Sequence, residues 1–570
     1  MPAHLGFAHN KQVVYDCATL PIYLCHLSMF IKKVFPRTVF VCILTVFSLS
    51  ACAEKAPTYF TNPIIPGGNP DPSICRVGEY YYIANSSFIW FPGVPIRRSK
   101  DLVNWELIGY ALPTPKHIDI NDNTGVSGGL WAPTIRYHDG LFYLTVTQKR
   151  SGSSVLVTAK NPAGPWSEPI TLHSQDGIDG SLLFDDDGRI WYTWSEAHEI
   201  LLREFDNEKK QLIGEKILLL DEHMFGDDYS HIEGPHIYKL KSGEYMLMIA
   251  SGGTGNNNHN VSVFKSDKPT GPYKPAPSNP VLTHRGKDSP FNNIGHADIV
   301  ETQNGQWYAV MLGVRKLENK TLMDRETFLT EFVWEDGWPV FNPKGNGMVL
   351  LKDKRPNLPW TLVPPTPARD EFHTEQLGLE WNFYHTPHKK WWSLTERPGH
   401  LRIYLQKPDP AQQTNTPVIA RRITQFSYTA ATQIDFNPQG YESAGLIALM
   451  NQNGMFRLEL FNDKNGRQVR LVKYSFPKRN QGKRINEIVD TVKVSNQPIG
   501  LIVEAEGFDY RFYVADNNVR KRIGKVEDGR IISKQLARGY MGAYVGVFAT
   551  SNSTESKNYA DFDWFTYQPE

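Results

Sequence analysis

The stretches that decide the fold are DPSICRVGEYYYIA (Asp71–Ala84), WAPTIRYHDGLFYLTV (Trp131–Val146), DGSLLFDDDGRIWYTW (Asp179–Trp194), EGPHIYKLKSGEYMLMI (Glu233–Ile249) and HADIVETQNGQWYAVM (His296–Met311). Each opens on a polar or aromatic cluster, runs through an apolar strand, turns at a glycine and returns on an aromatic-rich strand. Their first residues stand 60, 48, 54 and 63 positions apart. About 50 to 60 residues hold one four-stranded sheet with its loops, the size of a propeller blade. Five copies predict an all-β chain whose residues 52–345 form a five-bladed β-propeller.

Downstream, residues 346–369 are Pro-rich and irregular and read as a linker. Strands then resume over 370–570, among them AGLIALM (Ala444–Met450), FRLELF (Phe456–Phe461), IGLIVEA (Ile499–Ala505) and YVGVFA (Tyr544–Ala549). With Asp-Gly and Asn-Gly turns and almost no helical period, they predict a two-sheet β-sandwich. The chain has 570 residues, which two large β domains fill. With 61 basic and 60 acidic residues it lacks the cationic surplus of a nucleic-acid binder. Fourteen Trp, 26 Tyr and 29 Phe leave flat surfaces for a ligand such as a sugar.

In a propeller the innermost strand of each blade follows the central channel, so the residues that open the five units, Asp71, Trp131, Asp179, Glu233 and His296, converge on one axis. Three of them are acids. Any one alone is explained as a turn residue beside Pro or Gly. Together they would repel one another in a shared pocket, and such crowding raises carboxyl pKa values and is kept where catalysis uses it. Paired carboxylates in an aromatic-walled cavity without a metal cluster are the equipment of glycoside hydrolysis.

The motifs NPDPS (Asn69–Ser73), FPGVPI (Phe91–Ile96), SKDLVNW (Ser99–Trp105), WAP, IDGSL, EGPH, GHAD and RETF together resemble glycoside hydrolase family 43, most nearly its β-xylosidases and α-L-arabinofuranosidases, from about Asn62 to the C-terminus. The resemblance implies Asp71 as general base, Glu233 as general acid, and Asp179 as the carboxylate that orients the acid and holds its pKa up. Inversion is expected, with acid and base about 6.5 to 9.5 Å apart to admit a water. The resemblance also gives Arg325 of RETF to the sugar hydroxyls, although Met323 and Asp324 stand where the family usually shows Leu-Gly. A surface ion pair with Asp324 or Glu326 is the plainer role for that arginine.

Trp131 and Phe88 are the aromatics expected against the sugar ring, though an inward aromatic in such a fold is more often core. His296 is expected on the channel axis, where the resemblance places water or a calcium ion. No cofactor is required and no metal site is expected, since a lone His is a poor calcium ligand and leaves at most a structural Ca2+ nearby. The C-terminal strands resemble the family's lectin-like, concanavalin-type module, which would close one side of the site and favour short substrates. The expected activity is exo-hydrolysis of xylose from the non-reducing end of β-1,4-xylo-oligosaccharides, with arabinofuranosyl groups as further substrates. A carbohydrate-binding surface lipoprotein without catalysis is the alternative, and a retaining fructosidase with one acid as nucleophile is a third reading. The substrate is thus the expected partner, and the oligomeric state is left open.

Two further runs have plain readings. Asp185, Asp186 and Asp187 before Gly188 form a hairpin turn rather than a calcium loop, because the closing Glu is missing. The Gly-rich run Ser251–Asn260 lacks the lysine and helix of a phosphate cradle and reads as a substrate-rim loop.

Residues 1–51 read as an export signal. Lys32, Lys33 and Arg37 precede an apolar run from Thr38 to Ala51, too short to span a membrane. Met29 is the expected start. LSAC (Leu49–Cys52) resembles a bacterial lipobox, so Cys52 is expected to carry lipid, the only membrane attachment, with a simple secretory cleavage nearby as the alternative. The expected location is the periplasm or outer membrane. Removing the signal leaves Cys52 and Cys75, so the fold stands without a disulfide.

Overall fold

The computed structural model describes residues 56–121, 124–149, 153–173, 177–224, 230–254, 257–412, 416–477 and 482–570. Met29, Cys52 and the rest of the expected export segment lie outside them.

Among the described residues five antiparallel sheets, four of four strands and one of five, succeed one another from Ser73 to Phe341, as the repeats require. Blade one holds Ser73–Val77, Tyr80–Ala84, Gly93–Ser99 and Glu106–Leu112, and blade two runs from Leu130–His138 to Ile170–His173. Blade three spans Ile178–Phe184 to Gln211–Asp221. Blade four begins at Glu233–Lys239, and the short strand Leu282–Thr283 joins its third strand, Asn260–Ser266. Blade five runs from Phe291–Glu301 to Trp338–Phe341. Inner strands such as Tyr245–Ser251 are buried at every position, because blades stack face to face and leave no solvent face. In the sandwich, Ile499–Glu506 alternates in burial with the pleat.

The ring closes through its ends. Tyr59–Thr61 pairs with Lys352–Lys354, inside the expected linker, and the Asn62 side chain exchanges two 2.9 Å hydrogen bonds with the Leu329 backbone in blade five. Deep in the channel Arg136 and Asp298 form a buried ion pair at 2.7 Å. The Ser73 hydroxyl and the Tyr238 phenol both donate to Asp298. Burial would raise this carboxyl, but Arg136, His236 and the Ser73 hydroxyl hold it well below the usual carboxylate range. Cys75 is a free, buried thiol, pushed up to about 12 by burial.

The Asp185–Gly188 run is a turn: Asp185 accepts from Lys239 and Tyr245 and from the Asp186 backbone N–H.

The C-terminal sandwich has two eight-stranded sheets. One of them recruits Trp90–Phe91, from the loop between the second and third strands of blade one, as an edge strand on Asn382–Tyr384. Trp90 is fully buried and stacks on Tyr544 with ring centroids 3.6 Å apart. Burying such an indole removes roughly 200 Å² of apolar surface, about 5 kcal/mol of driving force.

Candidate active site

One residue near the start of each innermost strand has a left-handed backbone: Asp71 at φ 51°, Ala132 at 32°, Asp179 at 58°, Gly234 at 60° and His296 at 53°. In blades two to five the strand register shifts across these positions, as at a β-bulge. Regular pairing begins or resumes two residues later, at Ser73, Thr134, Ser181, His236 and Asp298. A bulge spends an extra residue to re-aim a side chain, and a left-handed non-glycine costs about 1 to 2 kcal/mol. The structure therefore corrects the expected alignment. Ala132 and Gly234 are the counterparts of Asp71, Asp179 and His296, and Trp131 and Glu233 each sit one residue earlier. Gly234 has a structural reason, since a Cβ there would stand 3.0 Å from the His296 ring.

All seven residues expected at the site, Asp71, Phe88, Trp131, Asp179, Glu233, His296 and Arg325, line one cavity of about 610 Å³ at the mouth of the channel. The three carboxylates do not simply repel, because each has its own cationic or imidazole neighbour. Asp71 Oδ1 accepts from Arg325 Nη1 at 2.7 Å, and its Oδ2 accepts from the Ser86 hydroxyl at 2.6 Å. That hydroxyl also accepts from the Ala132 backbone N–H, so blade two fixes a carboxylate of blade one. Asp179 Oδ2 accepts the Gly234 N–H at 3.1 Å and lies 3.3 Å from His296 Nε2. Glu233 Oε1 lies 3.6 Å from Nε2 of His259, an imidazole the sequence reading missed.

Burial raises the Asp179 carboxyl, and His296 opposes that rise. Burial alone would lower His296, but the bond to Asp179 and the charges of Asp179, Asp71 and Glu233 lift it to about 9. Glu233 runs against expectation. Burial would raise it, yet His259, His296 and Arg325 together hold it below its ordinary value. Asp179 fixes the Gly234 amide, the next peptide along from Glu233, and so fixes the direction of the glutamate.

Arg325 is buried in the site rather than paired at the surface; Glu326 turns away to Arg315 at 2.7 Å. Its guanidinium carbon stands 5.3 Å from the ring centres of both Phe88 and Tyr540. Phe88, Trp131 and Tyr540 form an aromatic wall with centroids 5.7 to 5.8 Å apart. Tyr540 comes from the sandwich, so the second domain completes the cavity. Opposite, the rim carries His198 and His231, whose rings meet edge to face at 4.8 Å, with Gly252, Gly253, Thr254 and Asn258 of the expected rim loop. Lys149 caps the Trp131 ring at 5.1 Å. His259 lies inside the Gly-rich run, the one local signal for it; Tyr540 has no such signal.

Calcium prefers six to eight oxygen ligands. His296 offers a nitrogen, its Asp179 partner is taken by two donors, and among the described residues no group of three His, Cys, Asp or Glu could hold a metal. The residues near His296 do not fit that ion.

The model of glycosyl hydrolases family 43 matches residues 60–339, and the β-xylosidase C-terminal concanavalin A-like domain matches residues 369–568. The chain belongs to glycosyl hydrolases family 43. This family 43 chain is 37% identical to a non-reducing end α-L-arabinofuranosidase of Bacteroides ovatus, over 91% of this chain and 96% of that one. It is 35% identical to a xylosidase/arabinosidase of Butyrivibrio fibrisolvens, over 89% and 99%. A solved xylan β-1,4-xylosidase of Bacillus halodurans superposes with a TM-score of 0.82 at 32% identity, over 89% of this chain and all of that one. The protein is a glycoside hydrolase with a five-bladed propeller and a concanavalin-like sandwich.

Proposed function

We propose that this hydrolase is an inverting exo-enzyme that removes xylose from the non-reducing end of β-1,4-xylo-oligosaccharides and also releases α-L-arabinofuranosyl groups. The observation that carries the reading is a single cavity where carboxylates from three blades meet, walled on one side by Tyr540 of the sandwich. Such a wall suits a chain end better than the middle of a polymer. The second sugar is favoured by the 37% identical relative, whose name gives it α-L-arabinofuranosidase activity.

In the proposed reaction Asp71, held by Arg325 and Ser86, takes a proton from a water as its oxygen bonds to the anomeric carbon. The bond from that carbon to the leaving oxygen breaks on the opposite face, and Glu233 gives that oxygen its proton. Arg325 grips sugar hydroxyls, and Phe88, Trp131 and Tyr540 pack the ring and exclude water. Glu233 must hold its proton as the leaving group arrives. In the open cavity its neighbours favour the charged form, while a bound sugar displaces water from the carboxyl and favours the neutral one. The chain supplies every group used, and no cofactor is required.

A binding protein without catalysis would gain nothing from three acids in one buried cavity. The export segment is proposed to deliver the chain to the periplasm or outer membrane with lipid on Cys52, which radiolabelled palmitate would report. Turnover of aryl β-D-xyloside and aryl α-L-arabinofuranoside tests the main reading, with proton NMR of the first anomer released. Cleavage of neither glycoside, or a first-formed sugar that retains configuration, overturns it.

A further inference from the structure

Asp324 is fully buried with a left-handed backbone, immediately before Arg325. Its Oδ1 lies 2.8 Å from Nζ of Lys534, in the sandwich, and among the described residues no other cation lies within 4.0 Å of it. Burying a lone carboxylate is costly, so this contact holds only while lysine and aspartate are both present. The surrounding backbone is laced in the same sense. Lys534 N–H donates to Thr321 at 3.2 Å and Ala543 N–H to Leu322 at 2.7 Å. Gly542 lies so close to Met323 that a Cβ would come within 2.5 Å of its carbonyl oxygen.

The pair borders the sugar site. Lys534 Nζ stands 5.0 Å from the Tyr540 ring centre, and Arg325 faces the same ring from 5.3 Å. Arg325 Nη2 also reaches the Tyr540 carbonyl at 3.4 Å, while its Nη1 holds Asp71. Asp71 thus holds the arginine directly, while Asp324, the residue before it in the chain, is held by Lys534.

We propose that Asp324 and Lys534 are a positioning pair for the pentose site: the lysine neutralises Asp324, leaving Arg325 to Asp71. The pair joins propeller to sandwich and explains how an aspartate is tolerated before the arginine. This rests on the hydrolase reading above for the identity of the ligand. With Lys534 uncharged, Asp324 competes with Asp71 for the guanidinium and the sugar loses its grip. Removing both charges abolishes the competition.

The test uses the full chain as wild type, Lys534→Met, Lys534→Arg and the double variant Asp324→Asn/Lys534→Met. KM and kcat on aryl β-D-xyloside and Kd for xylose and arabinose by calorimetry are measured beside the melting temperature. Lys534→Met is expected to raise KM and Kd about tenfold or more, with kcat within about threefold. Lys534→Arg and the double variant are expected within about threefold of wild type, a non-additivity that a purely local packing loss would not give. Lys534→Met within about twofold of wild type, or a folded double variant that binds as poorly as Lys534→Met, overturns the proposal. Should Lys534→Met not fold, the other two decide: near-wild-type Kd in both supports the pair, and a tenfold loss in the double variant overturns it. Wild type that binds a pentose but cleaves neither glycoside sinks the hydrolase reading alone, and the Kd values still judge the pair. Wild type that binds no pentose sinks both.

Discussion

Arg325 Nη1 donates to Asp71 Oδ1 across 2.7 Å, joining the start of the first blade to the third strand of the last. Both side chains are buried, and Asn69 N–H bonds the Arg325 carbonyl beside them at 3.1 Å. The contact closes the propeller ring at the same point where it aims the proposed base. Ring closure and site geometry are therefore one structural feature.

Replacing Arg325 removes a proposed sugar ligand and leaves Asp71 buried without its cation. Arg325→Ala is expected to lower kcat/KM for aryl β-D-xyloside about a hundredfold or more, since charge-assisted bonds in buried sites are worth several kcal/mol when broken. Arg325→Lys should recover part of this, because an ammonium restores charge but not the two-pronged fork. Steady-state kinetics on the three proteins checks it, and equal losses for Ala and Lys would show that charge plays no part.

The roles proposed for Asp71 and Glu233 separate by leaving group. Nitrophenolate departs without a proton, whereas the xylose leaving from xylobiose needs one. Glu233→Gln should cut kcat on xylobiose by about 10² to 10⁴ and on nitrophenyl β-D-xyloside far less. Asp71→Asn should cut both alike, since each reaction needs the activated water. A Glu233→Gln loss that is the same for both substrates would remove Glu233 from the acid role.

Much of this was legible along the chain because a propeller repeats its unit, and Gly-centred turns with aromatic return strands mark each copy. The acids stood out for the same reason. The alignment at Trp131 and Glu233 slipped by one residue because a bulge adds a residue without changing composition. Tyr540 and Lys534 were out of reach for another reason: both meet the site from the sandwich, and partners of that kind leave no local pattern, while His259 lies in the rim run of the same blade as Glu233. Arg325 and His296 were legible as site residues but not as partners of the acids, a pairing that only the fold sets, so mutual repulsion was the natural reading. Asp324 stood out as a departure, but its partner lies 210 positions onward. The two-residue strand Trp90–Phe91 is too short for any period to announce.

His296 ties stability to pH. An imidazole titrates near 6.5 in an unfolded chain, and His296 is lifted to about 9 against the pull of burial, so the folded state binds the proton more tightly. The stability from this ion pair is complete below about 6.5, declines as pH rises and is lost above about 9. The difference amounts to roughly 3 kcal/mol. Melting temperatures from pH 6 to 10 should fall for the wild type and fall less steeply for His296→Asn. Parallel curves would mean that the imidazole does not titrate with folding.

The shared sheet joins propeller to sandwich, from which one cooperative unit is expected. Trp90 and Phe91 leave the first blade to pair with Tyr384 and Phe383, and Trp90 is buried between Tyr384 and Tyr544. Phe88, two residues earlier, lines the sugar cavity, so the strand that anchors the sandwich also holds the aromatic wall. Calorimetry on the wild type should show one unfolding transition. Trp90→Ala opens a cavity in this core and should cost about 3 to 5 kcal/mol, split the transition in two, and raise KM through the displaced wall. Trp90→Phe keeps the stacking partner and should lose less of both. Two resolved transitions in the wild type would show that the domains fold independently and that the strand exchange does not couple them.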